Sequence, residues 1–199
     1  MKIFPTITLL AFLTMPVQAQ NLSGIRIGDD ASVTERLGGI PIARESSGPF
    51  EILKYRFADG NELSITLERG TRKIVYVESD WGGRAAGAYS DYPGFVFGKT
   101  TLMDIRKKMG SNGMGFSERP MVSQVSNGVI MLNTYDISEV LVTFITKVSG
   151  NDIKLVQQKQ KEISIAAKLD AIIITSNEYA AVAWGKQQRD PAYRPGVWK

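Results

Sequence analysis

A short pattern that occurs twice constrains the fold more than any other feature of this sequence. Each copy has an apolar segment, a glycine, a short helical stretch with a polar or acidic start, and a second glycine, at residues 25–38 and 95–110. Alternating apolar and polar residues, which are typical of β-strands, follow each copy. We therefore predict an α+β protein built from two similar helix-plus-antiparallel-sheet subdomains in tandem.

The first unit is predicted over residues 20–83 and begins with a short helix at residues 31–37. Asp29 or Asp30 is expected to cap this helix, because a carboxylate accepts hydrogen bonds from the free N–H groups of a helix start. Gly38 is expected to end it. Three strands are predicted after the helix, at residues 50–58, 62–68 and 72–78.

The second unit is predicted over residues 94–185. Thr101 and Asp104 form a capping-box pattern, in which each side chain accepts a hydrogen bond from a backbone N–H group of the helix start, and Gly110 is expected to end the helix. Three strands are predicted at residues 129–136, 139–147 and 169–176. Apolar residues at helical spacing predict an amphipathic helix at residues 151–167, inserted between the second and third strands.

The two ends of the chain are predicted to lie outside these units. Residues 1–19 have a lysine, an apolar run and a small-residue cleavage site after Ala19, which is the pattern of a secretory signal peptide. The run is shorter than the roughly 20 residues that span a bilayer, so the mature protein is predicted to be soluble and periplasmic or secreted. Residues 84–93 are predicted to be a linker between the units, and residues 186–199 an extended, partly mobile tail.

The composition excludes several classes of site. The chain has no histidine and no cysteine, so Ser-His-Asp and Cys-His triads and zinc sites with His or Cys ligands are impossible. No cofactor and no metal site is predicted. The formal net charge of +4 is a mild excess without a dense basic stripe, so no nucleic-acid partner is expected. No catalytic residue is predicted, although 20 acidic residues leave a carboxylate pair for glycoside cleavage open.

The remaining candidate for function is an exposed surface. An antiparallel sheet with helices on one side leaves its other face open, and such a face can bind another protein or can simply be solvated. The candidate binding residues are the polar residues that alternation places on this face and the aromatic residues around the linker: Lys54, Arg56, Ser64, Thr66, Thr143, Trp81, Tyr89 and Tyr92.

The repeated motif resembles two known families. Two tandem helix-plus-sheet units in an exported bacterial chain resemble the β-lactamase inhibitor protein fold, and a single unit resembles the outer-membrane assembly lipoproteins of the SmpA/OmlA (BamE-like) group. The matching motif residues are Gly98, Thr100, Ile105, Met109 and Gly110, and more loosely Gly28, Val33, Leu37 and Gly38. The lipid-bearing cysteine of the lipoproteins and the disulfides of the inhibitor proteins are absent here, so no functional residue is carried over.

These observations lead to one expected function and two alternatives. The protein is expected to be a non-catalytic protein-binding module of the bacterial envelope, either inhibitor-like or an assembly accessory. The first alternative is a carboxylate-dependent hydrolase of envelope glycans. The second is a structural protein that makes weak contact with an anionic membrane or glycan surface through Lys154, Lys159 and Lys161 of the inserted helix.

Overall fold

One antiparallel sheet of eight strands forms the framework of the protein. The computed structural model describes residues 20–83, 90, 92–189 and 192–193. The strands of the sheet are β1 (Ala43–Ser47), β2 (Phe50–Arg56), β3 (Glu62–Glu68), β4 (Ile74–Asp80), β6 (Val122–Val125), β7 (Gly128–Ile137), β8 (Val140–Ser149) and β9 (Lys168–Thr175). A separate pair consists of β5 (Gly115–Phe116) and β10 (Gln187–Gln188).

The strand order across the sheet is β1-β2-β3-β4-β9-β8-β7-β6. The last strand of the first predicted unit, β4, therefore pairs with the last strand of the second, β9, at the centre of the sheet. The predicted α+β class is confirmed, and both predicted units contribute to one continuous sheet rather than to two separate ones.

The helices are the 3-10 helix η1 (Ala31–Leu37) and the α-helices α1 (Leu102–Met109), α2 (Gly150–Gln157), α3 (Ile163–Ala166) and α4 (Asn177–Trp184). The predicted caps of η1 and α1 are confirmed. Asp30 accepts a hydrogen bond from the backbone N–H of Ser32 at 3.0 Å, and Thr101 and Asp104 form the capping box of α1. Among the described residues, no helix is long and apolar enough to cross a membrane.

One face of the sheet packs against residues that precede and include α1. Phe144 of β8 lies in contact with Phe95, at 4.5 Å between ring centroids, and with Tyr92, at 5.8 Å. Ile105 and Met109 of α1 are 0% and 3% exposed and belong to the same apolar cluster. This side of the sheet is therefore the main core of the protein.

The opposite face, which we expected to be open, is partly covered by α4. Tyr179 packs against Phe50 at 4.9 Å and Tyr76 at 5.5 Å between ring centroids, and Trp184 packs against Tyr76 at 6.3 Å. The tail also reaches this sheet, because the hydroxyl group of Tyr193 accepts a hydrogen bond from the backbone N–H of Asp136 at 2.9 Å. The prediction of an open sheet face is therefore wrong where α4 lies.

Other elements also differ from the prediction. The helix expected at residues 151–167 is divided into α2 and α3, and Lys159, in the turn between them, has a left-handed backbone with φ of 59°. The strand expected at residues 72–78 begins two residues later, at Ile74. The edge strands β1 and β6 and the helix α4 were not predicted.

The predicted signal peptide at residues 1–19 lies outside the described residues, and so do residues 84–89 and 91 of the predicted linker and residues 190–191 and 194–199 of the tail. The division of the chain into units, linker and tail stays a prediction.

Candidate functional site

The predicted sheet-face residues share one face of the sheet, but two of them are buried. Lys54 of β2 lies opposite Ser64 of β3, and the same row continues across β4 and β9 to Thr143 of β8. Thr66 and Thr143 are 2% and 0% exposed. The hydroxyl group of Thr143 shares a hydrogen bond of 2.8 Å with that of Thr134. These two threonines are therefore interior residues and form no part of a binding surface.

The predicted aromatic residues also separate into different environments. Tyr92 is 0% exposed and lies in the core beside Phe144, so its expected role in surface binding is wrong. Trp81 is half-buried directly after β4. Tyr89 lies outside the described residues. Of the three aromatic candidates, only Trp81 is seen in contact with solvent.

The accessible corner of the predicted face carries two ion pairs. The Nζ atom of Lys54 lies 3.0 Å from Oε1 of Glu45, and this carboxylate raises the pKa of Lys54. The Nε atom of Arg56 donates to Oε1 of Glu62 at 2.8 Å. Exposed pairs of this kind contribute little to stability. Because both cations are already paired, this corner is not a concentrated basic patch.

A strip of carboxyl groups that the sequence did not reveal runs beside this corner. Glu62 lies directly opposite Asp80, and Glu78 precedes Asp80 by two residues on the same face. The hydroxyl group of Tyr76 donates to Oε2 of Glu78 at 2.5 Å. Burial raises the pKa of Glu78, whereas the Tyr76 hydrogen bond and the charge of Arg119 lower it.

Asp80 is a second carboxyl group of this strip with a raised pKa. Burial raises the pKa of Asp80 to about 7, with further contributions from the charges of Glu78, Asp170 and Glu62. A carboxyl group with this pKa keeps part of its protons at neutral pH. Within the described parts of the chain, no group of three acidic side chains is arranged to hold a metal ion.

The edge strand β1 is the most accessible element of the sheet. β1 pairs with β2 on one side and ends the strand order on the other. The residues just before it include two exposed isoleucines, Ile40 at 90% and Ile42 at 55%. An edge strand presents free backbone N–H and C=O groups that can pair with another chain. Exposed apolar side chains next to such an edge favour an interaction site.

A cleft of about 440 Å³ lies beside this edge, between η1 and the start of the sheet. Leu53, Tyr55 and Leu67 line it and are nearly fully buried. Ile40 and Pro41 also line it, and they connect it to β1. We call β1, Ile40, Ile42 and this cleft the β1 edge site.

A charged network borders the β1 edge site. The carboxylate of Glu51 lies 3.2 Å from Nη1 of Arg44 and 3.1 Å from Nη1 of Arg72. The Glu51 side chain is 12% exposed, whereas those of the two arginines are 65% and 57% exposed. The site therefore combines an apolar floor with a hydrogen-bonding, charged rim, which is the usual composition of a recognition surface.

Comparisons with known proteins show little similarity. No protein-family model matches the sequence, and no curated protein matches it. Among solved structures, the chain is similar to an extracellular protein containing a SCP domain from Bacillus anthracis str. Ames, with a TM-score of 0.47 and 13% sequence identity. The match covers 84% of this chain and 51% of that protein, so this chain spans about half of its length.

Proposed function

We propose that the protein is an exported, non-catalytic protein-binding module of the bacterial envelope, and that it binds an extended segment of its partner at the β1 edge site. The observation that carries this proposal is the outer edge of β1, which pairs with no strand of the described residues and lies next to Ile40 and Ile42, which are 90% and 55% exposed. When an extended segment pairs with a sheet edge as an additional strand, which is called strand addition, backbone hydrogen bonds supply affinity and pockets for alternate side chains supply specificity.

The cleft of the β1 edge site indicates what the partner presents. Its floor of Leu53, Tyr55 and Leu67 accepts an apolar side chain, because burial of such a side chain is favourable by roughly 1.5–3 kcal/mol. The rim formed by Arg44 and Glu51 suits polar neighbours of that side chain. The partner segment is therefore an extended stretch in which an apolar residue alternates with polar ones.

The proposal includes a duplicated architecture. In each half of the sheet a short helix precedes four strands that pair in sequence, β1 to β4 in one half and β6 to β9 in the other. This order supports the interpretation that the halves are tandem copies of one unit. Export rests on the signal-peptide pattern of residues 1–19.

Site-specific photocrosslinking in the bacterial host tests the proposed function. A photoreactive amino acid is placed at Ile42, and in a control variant at Val182 of α4, which is also exposed, at 70%. We expect an adduct with one defined polypeptide from position 42 that Ile40→Lys abolishes, and none with that polypeptide from position 182. Equal capture of that polypeptide at both positions, or none at position 42, contradicts the proposal.

A second candidate function is a carboxylate-dependent hydrolase of envelope glycans. It is favoured by the strip of Glu62, Glu78 and Asp80, in which burial raises the pKa of Asp80 to about 7. A carboxyl group with a pKa near the working pH can act as general acid next to an ionised one. The test is release of soluble sugars from purified envelope glycan. This candidate predicts release that Asp80→Asn abolishes and Glu139→Gln, in an exposed turn, leaves unchanged.

A further inference from the structure

A second cleft, of about 580 Å³, lies where β4 and β8 end and β9 begins. Its lining includes Trp81, Lys147, Ser149, Lys168 and Asp170. The volume falls within the range of roughly 300–1,000 Å³ that is typical of small-molecule pockets. We propose that this cleft binds a sugar that carries a single carboxylate group.

Two lysines provide the site for the carboxylate of this sugar. Lys147 of β8 and Lys168 of β9 lie directly opposite each other in the sheet. Both are half-buried, and like charges at directly opposite positions destabilise a sheet. In the described part of the chain, neither ammonium group forms an ion pair with a carboxylate. Both lysines line the cleft, where the charge of Lys147 acts on Asp170 and that of Lys168 acts on Asp152. A ligand carboxylate that reaches both ammonium groups gains two charge-assisted hydrogen bonds.

The acidic residues of the same cleft disfavour a ligand that has only anionic groups, because their carboxylates repel it. Asp152 already accepts hydrogen bonds from Nζ of Lys161 at 2.6 Å and from Oγ of Ser149 at 2.9 Å. Asp170 is partly buried; burial raises its pKa, and the charge of Lys147 lowers it. The carboxylate of Asp170 repels a second anionic group but accepts hydrogen bonds from hydroxyl groups. A sugar acid has both kinds of group, one carboxylate for the lysines and several hydroxyls for Asp170.

Trp81 gives the cleft an aromatic wall. Its backbone N–H donates to the backbone carbonyl oxygen of Asp170 at 2.8 Å, and both residues line the cleft. The ring lies so close to Gly98 that a Cβ atom at this position would be 2.6 Å from Cη2 of Trp81. Gly98 therefore allows the indole to lie against its backbone. Indole rings pack well against the C–H groups of a sugar ring, so this wall suits the body of the ligand.

Titration calorimetry with glucuronic acid tests this inference, with glucose and inorganic phosphate as comparison ligands. We expect glucuronic acid to bind at least tenfold more tightly than glucose or inorganic phosphate. Lys147→Gln and Lys168→Gln are each expected to weaken its binding at least tenfold, because each removes a hydrogen bond between charged groups. The control is Lys186→Gln, an exposed lysine next to β10 and outside the lining, which is expected to leave binding unchanged.

Several results would overturn the inference. They are equal affinity for glucose and glucuronic acid, equal affinity for inorganic phosphate and glucuronic acid, and an equal loss of affinity in Lys186→Gln. If the lysine variants do not fold, the wild-type protein still gives an answer by NMR. The indole N–H signal of Trp81, assigned with Trp81→Phe, must shift on addition of glucuronic acid, and an unchanged signal contradicts the proposed cleft.

Discussion

The two halves of the sheet begin with the same order of elements but differ in how tightly the first helix is packed. In the second half, α1 buries Leu102, Ile105 and Met109. In the first half, η1 fully buries only Ala31, and a cleft of about 440 Å³ lies between η1 and the sheet. The strands differ too, since β7 and β8 have 10 residues each, whereas β2 and β3 have 7.

This difference agrees with the proposal that the first half binds a partner segment at β1. The second half has the long strands and the closely packed helix, so it contributes most of the apolar burial that stabilises the fold. The first half has the more exposed apolar residues at its edge, Ile40 and Ile42, and a cleft beside them, which is where we propose that a partner segment binds. Three predictions test this contrast, and each compares a residue of one half with a counterpart.

The largest difference is expected between two leucine-to-alanine variants. Leu102 of α1 is 1% exposed, so Leu102→Ala should lower the free energy of unfolding by about 3–4 kcal/mol, through lost burial and a new cavity. Leu37 of η1 is only partly buried, and Leu37→Ala should cost about 1 kcal/mol. Urea denaturation of both variants measures the difference. Equal losses would show that η1 is packed as closely as α1.

The next effect compares the first glycine of each motif. Gly98 and Gly28 both have left-handed backbones, with φ of +69° and +87°. A Cβ at Gly98 would lie 2.6 Å from Trp81, whereas a Cβ at Gly28 would meet nothing within 4 Å. Gly28→Ala should therefore cost about 1–2 kcal/mol from backbone strain alone, and Gly98→Ala about 1 kcal/mol more.

Thermal unfolding and tryptophan fluorescence of the two glycine variants measure this difference. Gly98→Ala should also shift the emission of the protein, because the Trp81 indole must move. If both variants lose the same stability with unchanged fluorescence, the contact between Trp81 and Gly98 does not constrain the second motif.

A smaller effect concerns the ionisation of Asp80 and its influence on the free energy of unfolding. The row that places Glu62 opposite Asp80 in the first half continues to the apolar residues Ala171 and Ile145 in the second. In the folded protein the pKa of Asp80 is raised from 3.8 to about 7. Between these values the folded state keeps a proton that the unfolded chain loses. The free energy of unfolding must therefore fall as the pH rises from about 4 to about 7.

Asp80→Asn removes this pH dependence, because an amide carries no charge. After allowance for solvent contact, we expect the variant to be more stable than the wild type by about 2 kcal/mol at pH 8, with little difference at pH 4.5. Urea denaturation at the two pH values measures this, and Glu139→Gln in an exposed turn is the control. A variant that is less stable than the wild type at pH 8 would show that the Asp80 carboxylate is stabilising.

The features that the sequence predicted are those decided by local interactions. Asp30 and the Thr101–Asp104 capping box bond to backbone groups within three residues, so their helices could be located directly. The strands β2 and β3 could be located in the same way, because apolar residues alternate along them. A pattern of this kind does not depend on the rest of the chain.

The features that were missed depend on distant contacts or carry no local pattern. Apart from Ala43, the residues of β1 are polar and exposed, so alternation gave no signal there. The start of α4 did carry a local signal, because the side chain of Ser176 accepts a hydrogen bond from the backbone N–H of Tyr179. The position of α4 over the sheet, however, follows from the contacts of Tyr179 with Tyr76 and Phe50. Because α4 lies there, it covers part of the sheet face that was predicted to be open.

The strip of carboxyl groups could not be predicted for a related reason. Its assembly depends on which residues of β3 and β4 lie opposite each other, and the register shifts between Thr66 and Leu67. Tyr92 was expected at the surface because it follows a Gly- and Ala-rich segment, yet its ring packs against Phe95 and Phe144. Sequence alone does not show which aromatic residues of such a segment reach the core.

Amide hydrogen exchange tests the central claim, that the first half binds its partner by strand addition to β1. Exchange is measured for the free protein and for its complex with the polypeptide captured at position 42. We predict slower exchange in the complex at β1, Ala43–Ser47, and no change at the other edge strand, β6, Val122–Val125. Unchanged exchange at β1 with protection at β6 would contradict the claim.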